Sequence, residues 1–121
     1  MRKFMNGHFF RVSNHIFDYK LSPYSFMVYC FLQKCDNIER GCFPSKATIA
    51  KSCGISKTSV DAAIKDLVKR GIIRVDRRYE NGHQQTNLYT LCDLDLLWEN
   101  ELNYESIEKV ARQEEEELLP L

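Results

Sequence analysis

The chain has 121 residues, and 17 Lys plus Arg balance 17 Asp plus Glu, so its formal net charge is zero. That length allows one domain with one core, and an apolar share of 44% excludes a largely disordered chain. Asn6, Gly7 and His8 interrupt the apolar stretch near the N-terminus, which argues against a signal peptide or membrane span and predicts a cytoplasmic protein.

The first predicted elements surround one long helix. Residues 9–13 are either a short strand or a lead into the domain, and Asn14 can cap a short turn after them. Ser22 caps the long helix, where Pro23 takes the first position because its missing N–H costs nothing there. The inward face of this helix, set by helical spacing, comprises Ser25, Val28, Tyr29, Leu32 and Cys35.

Two helices joined by a tight turn follow a polar loop at 36–41. Ser45 can cap the first and Ser56 the second, while Gly54 lies where a left-handed backbone favours glycine. This order predicts a helix-turn-helix, whose second helix enters the DNA major groove; the alternative is a helical bundle that binds no DNA. The second helix ends at Gly71, and its predicted buried stripe is Val60, Ala63, Ile64, Leu67 and Val68.

A β-hairpin is predicted directly after the second helix. Alternating residues continue to position 79 and resume over 86–91, and Asn81-Gly82 between them is a strong hairpin-turn signal. Phe43 can add one or two residues of strand to this hairpin. The hairpin completes a winged helix, so the fold class is α+β, mainly helical, with a C-terminal helical extension. The inner face of the first strand is predicted to hold Ile73, Val75 and Tyr79.

Charge is divided unevenly along the chain. Residues 1–91 hold 15 basic and 7 acidic side chains, a net of +8, whereas residues 92–121 hold 2 and 10, a net of −8. This asymmetry predicts a basic DNA-binding domain over 1–91 and an acidic helical extension and tail over 92–121. A basic domain attracts polyphosphate; the alternative is that its Lys and Arg only solvate the surface.

Residues spread over positions 10–91 match a known pattern. They are Leu21-Ser22-Pro23, Tyr29, Leu32, Phe43-Pro44-Ser45, Ile49-Ala50, Gly54-Ile55-Ser56, Val60, Ile64, Leu67, Gly71-Ile72-Ile73 and Asn87-Leu88-Tyr89. In these residues the chain resembles the helix-turn-helix family of bacterial plasmid and phage replication initiators and mobile-element regulators. The resemblance implies a winged helix that binds double-stranded DNA.

Predicted DNA contacts come from the outward side of the second helix, the start of the helix before it, and the hairpin. The alternative for the hairpin is that its polar tip is only a solvated turn and does not contact DNA. Asp61 shares the outward side, where it either accepts from a cytosine amino group or stabilises the start of its helix. The predicted DNA-binding residues are Ser45, Lys46, Lys57, Thr58, Ser59, Ala62, Lys65, Arg77, Arg78, His83, Gln84 and Gln85.

The five cysteines have spacings typical of neither a disulfide framework nor a zinc site. Cys30, Cys35 and Cys53 are predicted to be small buried hydrophobes; a metal site using Cys35, Cys42 and a histidine is the alternative. Residues 1–91 contain no nucleophile motif, phosphate-cradling loop or paired acidic motif. We therefore predict no enzyme activity, no cofactor and no metal.

The extension carries a helical stripe over residues 93–111 that begins with Leu94, Leu97, Trp98 and Leu102. This stripe packs either on the first helix of its own domain or on a twin chain, and a homodimer is favoured because two half-sites add affinity. The run Glu114 to Glu117 is either a solvated end or a phosphate mimic against the basic face.

These patterns predict a double-stranded DNA-binding regulator of transcription that serves a bacterial or mobile-element operon. The alternative is a replication-initiation or replisome-loading protein, which the short extension disfavours because initiators usually carry a further domain. A further alternative is a winged-helix protein-interaction module without DNA contact.

Overall fold

The computed structural model describes residues 9–36 and 40–100. A 3-10 helix, Asn14–Tyr19, precedes helices α1 (Pro23–Cys35), α2 (Lys46–Cys53) and α3 (Lys57–Lys69). Strands β1 (Ile73–Asp76), β2 (Tyr79–Glu80), β3 (His83–Gln84) and β4 (Leu88–Leu91) follow, and residues 94–100 form a further helix, α4. The predicted mainly helical α+β winged helix-turn-helix with a helical extension is confirmed.

Serine side chains begin all three of the long helices. The hydroxyls of Ser22, Ser45 and Ser56 each accept the backbone N–H three residues on, at 3.2, 3.1 and 3.1 Å. Each of these bonds satisfies a donor that has no partner inside the helix. Gly54, with φ of 69°, makes the left-handed turn between α2 and α3. The predicted caps and turn are confirmed.

The core lies where α1 crosses α2 and α3 and the hairpin closes over them. Four residues of the predicted α3 stripe are buried, but Val68 is 43% exposed. A rotation of about 100° per residue turns Val68 away from its buried neighbour Leu67. The buried apolar residues are Ile16, Val28, Tyr29, Leu32, Cys42, Ile49, Ala50, Val60, Ala63, Ile64, Leu67, Ile72, Ile73, Tyr89 and Leu94.

The hairpin is paired in two stretches. Strands β1 and β4 are antiparallel from Ile73↔Leu91 to Asp76↔Leu88, and β2 pairs with β3 beyond a break. Asn81 and Gly82 have φ of 52° and 80°, as a two-residue turn between twisted strands requires. Tyr79 was predicted to face inward but is 62% exposed. All residues of β2 and β3 are exposed, because this part of the hairpin extends past the helices and does not pack on the core.

Other local predictions are corrected by small shifts. Ser13, not Asn14, caps the 3-10 helix by accepting from the His15 N–H. Of the two alternatives for residues 9–13, the structure has the lead into the domain and not the strand. Cys42, not Phe43, bridges to the hairpin, since its carbonyl accepts the Tyr89 N–H at 2.9 Å. The polar loop at 36–41 is described only at its two ends.

The cysteines are buried to different degrees than expected. Cys30, Cys35 and Cys53 are only half-buried, whereas Cys42 is fully enclosed. Burial raises the pKa of the Cys42 thiol to about 12, so it remains protonated and behaves as a small apolar side chain. Within residues 9–36 and 40–100, no three His, Cys, Asp or Glu side chains group in a way that could hold a metal ion.

Helix α4 packs on its own domain at its first turns. Asp93 caps it, and Leu94 is 3% exposed in the core. Trp98 stacks on His15 with ring centroids 4.7 Å apart, and Asp95 accepts a hydrogen bond from the Ser13 hydroxyl. The rest of the predicted stripe, from Leu102 onward, and the run 114–117 lie outside the described residues. None of the helices in the described ranges is both long and apolar enough to cross a membrane.

Candidate nucleic-acid interface

One face of α3 points directly away from the core, and we call it the outer ridge. Its four members follow one another at helical spacings of four, three and four residues, and all are exposed. Three of them were predicted from sequence. Lys69 was missed, although its position four residues after Lys65 could have identified it. The outer ridge consists of Thr58, Ala62, Lys65 and Lys69.

A groove separates α3 from the hairpin, and we call it the cation groove. Its basic rim consists of Lys46, Lys65, Lys69 and Arg77, and its other lining residues are Ile64, Val68, Val75 and Asn87. Among the described residues, Lys65, Lys69 and Arg77 form no ion pair. Lys69 acts on the Asp66 carboxylate only at longer range. Because Lys65 and Arg77 have no carboxylate partner among the described residues, the groove is suited to bind an anion.

Lys46 is the exception, because it is paired with Asp61. Its Nζ lies 2.7 Å from Asp61 Oδ1, and both side chains are about half exposed. The pair joins the start of α2 to the second turn of α3. Asp61 therefore lies on the hairpin-side flank of α3 and neutralises a cation at the groove edge.

A second groove, here the amide groove, lies between the starts of α2 and α3 and the hairpin. Five predicted site residues line it: Ser45, Lys46, Lys57, Gln84 and Gln85. The Ser45 hydroxyl is occupied as the cap of α2. The two grooves share Lys46 and Asn87, so they form one continuous surface beside α3.

Asn87 lines both grooves but was not among the predicted DNA-binding residues. Its Oδ1 atom is buried and has no hydrogen-bond partner among the described residues, and such an acceptor favours a donor brought by a ligand or solvent. Burial raises the pKa of neighbouring Tyr89, and the Asn87 amide and Lys46 oppose that rise. The signal that could have identified Asn87 is an amide immediately before the apolar β4.

The remaining predicted residues lie apart from the two grooves. Ser59 and Ala62 line a third groove on the α1 side, with Tyr24. The Arg78 guanidinium stacks on the Phe43 ring, 4.2 Å from its centroid, so Arg78 and its neighbour Arg77 have different surroundings. His83 is exposed near the hairpin tip.

A hydrogen-bond network fixes α3 on the α1 side. Ser25, 2% exposed, donates to Asp66 Oδ2 at 2.8 Å, and Arg70 Nε donates to Asp66 Oδ1 at 3.0 Å. Arg70 also donates to the Tyr19 carbonyl. The hydrogen bond from Ser25, followed by the Arg70 contact, holds the pKa of Asp66 below its usual value. The Arg70 side chain therefore stabilises the fold through these hydrogen bonds.

Comparison with known proteins agrees with this architecture. Residues 19–73 match a family described as "Helix-turn-helix domain". A solved structure described as a "Possible transcriptional regulator" from Methanosarcina mazei Go1 aligns with a TM-score of 0.51 and 13% identity, over 80% of this chain and 79% of that chain. No curated protein matches, and the likeness to replication initiators stays a prediction. The chain thus shares the fold of that structure, and its residues 19–73 are similar to the helix-turn-helix family.

Proposed function

We propose that this protein binds double-stranded DNA as a non-enzymatic regulator, with the outer ridge of α3 in the major groove. The observation that carries the proposal is the cation groove, where Lys65, Lys69 and Arg77 form no ion pair among the described residues, beside an exposed helix face. The major groove is about 12 Å wide, so a helix inside it has a phosphate backbone along each flank. Cations on the hairpin-side flank match one of these backbones.

Each predicted contact receives a role from its position. Thr58 and Ala62 on the outer ridge face base edges, and Ser59 faces the backbone on the α1 side. Lys65 also lines the cation groove, so it contacts the phosphate backbone on the hairpin side. Phosphate contacts come from the start of α2, the start of α3 and the hairpin. This second set comprises Ser45, Lys46, Lys57, Arg77, Arg78, His83, Gln84 and Gln85.

Salt titration of duplex binding tests the proposal. Lys65→Ala with Arg77→Ala removes two phosphate contacts, so the slope of log affinity against log salt falls by about 1.8. Lys34→Ala with Lys51→Ala is the matched control, because it removes the same charge from positions outside both grooves. Equal slopes for the two double variants, or a wild-type chain that does not bind duplex DNA, would refute the proposal.

The biological role within this proposal is transcriptional control of a bacterial or mobile-element operon by a cytoplasmic protein. The Methanosarcina mazei Go1 structure, which is described as a "Possible transcriptional regulator", supports regulation rather than replication. Selection of bound fragments from random DNA, followed by placement of the recovered motif relative to promoters or origins, separates the two roles.

A homodimer through residues 93–111 is part of the same proposal. It is supported by Leu96 and Leu97, which α4 leaves exposed. A dimer predicts two half-sites about 10 base pairs apart, or a multiple of that spacing. A recovered motif with a single half-site, together with a monomer mass in sedimentation, would contradict it.

A further inference from the structure

The chain itself contains a ligand for the cation groove. We propose that residues 114–119, here the acidic segment, occupy the cation groove when DNA is absent and compete with DNA for it. The acidic segment is Glu114-Glu115-Glu116-Glu117-Leu118-Leu119. The inference rests on the proposed function, since the groove is also the proposed DNA contact.

Charge selects the groove as the place for this segment. Elsewhere in the described part, Arg70 and Arg74 are paired with Asp66 and Asp76, whereas Lys65, Lys69 and Arg77 concentrate positive charge in one groove. Four consecutive glutamates bring a matching density of negative charge. At physiological salt the Debye length is about 8 Å, so such charges attract strongly only when they are close.

Shape and polarity support the same placement. Besides its cations, the groove is lined by the apolar side chains Ile64, Val68 and Val75, which we call its floor, and Val68 is 43% exposed. Leu118 and Leu119 directly follow the glutamates, so one short segment supplies both charge for the rim and apolar side chains for the floor. Burial of exposed apolar surface adds a favourable contribution to the ionic contacts.

The connecting chain is long enough. Position 114 lies 14 residues beyond position 100, the end of the described part of α4. This allows a span of up to about 50 Å for an extended chain, and of about 27 Å if the predicted helix continues to position 111. A compact domain of about 90 residues has a radius of gyration of about 12 Å. The acidic segment can therefore reach the groove while Leu94 and Trp98 keep α4 on its own domain.

Duplex binding by full-length variants gives the first test. With Glu114, Glu115, Glu116 and Glu117 all changed to Gln, affinity rises about tenfold if the acidic segment fills the groove about nine-tenths of the time. The matched control changes Asp18 and Asp36 to Asn and Glu39 and Glu80 to Gln, which removes the same charge outside both the acidic segment and the proposed dimer region 93–111. Its affinity should rise by less than about twofold because of screening. Equal gains in the two variants would overturn the proposal.

Carbodiimide cross-linking of the wild-type chain without DNA gives a direct test, since it joins touching carboxylates and amines. We expect Glu114–Glu117 to link to Lys65 or Lys69 rather than to Lys20, Lys34 or Lys51, and the links to disappear with duplex DNA or about 1 M salt. Links spread evenly over all lysines would overturn the proposal. In a mixture of isotope-labelled and unlabelled protein, links found only between two different chains would also overturn it. Groove links in a protein that binds no duplex would support occupancy of the groove by the acidic segment, and would refute the competition and the DNA-binding proposal.

Discussion

Replacement of Asp61 by Asn tests how charge is arranged around α3. Asn keeps the size of the side chain but removes the partner of Lys46, whose Nζ lies 2.7 Å from Asp61 Oδ1. The freed Lys46 can neutralise one more phosphate, so the salt slope should steepen by about 0.9. A carboxylate such as that of Asp61 and a DNA phosphate about 7 Å away would repel each other by about 0.6 kcal/mol in bulk water. At an effective dielectric of about 20, the repulsion would be about 2.4 kcal/mol. Removal of the Asp61 charge should therefore strengthen binding by about 1 kcal/mol, or about fivefold.

Fluorescence anisotropy with labelled duplexes at several salt concentrations measures both quantities. Asp76→Asn is the matched control, because Asp76 is an exposed carboxylate 3.5 Å from Arg74 on the hairpin and lines neither groove. Stability should change by less than about 1 kcal/mol in either variant, since exposed ion pairs contribute little. Weaker binding by Asp61→Asn, most pronounced on sites with one particular G·C pair, would identify Asp61 as a base acceptor and refute this reasoning.

Two further predictions concern neighbours of the interface. Arg77→Ala and Arg78→Ala should each lower the salt slope by about 0.9, and Arg78→Ala should in addition cost about 0.5–1 kcal/mol of stability through its lost stacking on Phe43. Salt titration and thermal unfolding of both variants separate the two effects, and equal stability of the two variants would contradict the assigned stacking. Ser25→Ala should cost about 1 kcal/mol in urea unfolding at pH 7. In the folded state the pKa of Asp66 is lowered from 3.8. The stabilisation of the fold by the Asp66 carboxylate is therefore present above that value and is lost as pH falls through the folded pKa. A stability cost of Ser25→Ala that grew at about pH 3 would contradict the assigned hydrogen bond.

The sequence predicted those parts of the fold that depend on a few adjacent residues. Ser45 and Ser56 bond to amides three residues away, and Asn81-Gly82 forms its turn within four residues. In each case the residue type alone favours the observed backbone. Such local signals are enough to specify three capped helices followed by a hairpin.

Distances between elements could not be predicted in this way. The periodicity of β1 indicated which residues share a face of the hairpin. It did not indicate that the hairpin extends past the helices at Tyr79, which is therefore exposed. The Lys46–Asp61 pair and the position of Asn87 depend on how the hairpin lies against α3. Arg77 and Arg78 were likewise both predicted only as DNA contacts, although the Arg78 guanidinium also stacks on Phe43.

The two carboxylates of α3 explain how a helix of mixed charge can still present a positive face. Lys46 holds Asp61 on the hairpin-side flank, and Ser25 with Arg70 holds Asp66 on the α1-side flank. The outer ridge between these flanks contains Lys65 and no acidic residue. Because repulsion from a phosphate weakens with distance and with pairing, a carboxylate tied to a cation on a flank opposes DNA less than one on the ridge. The placement of charge around α3, rather than its sum, makes the ridge suited to approach DNA.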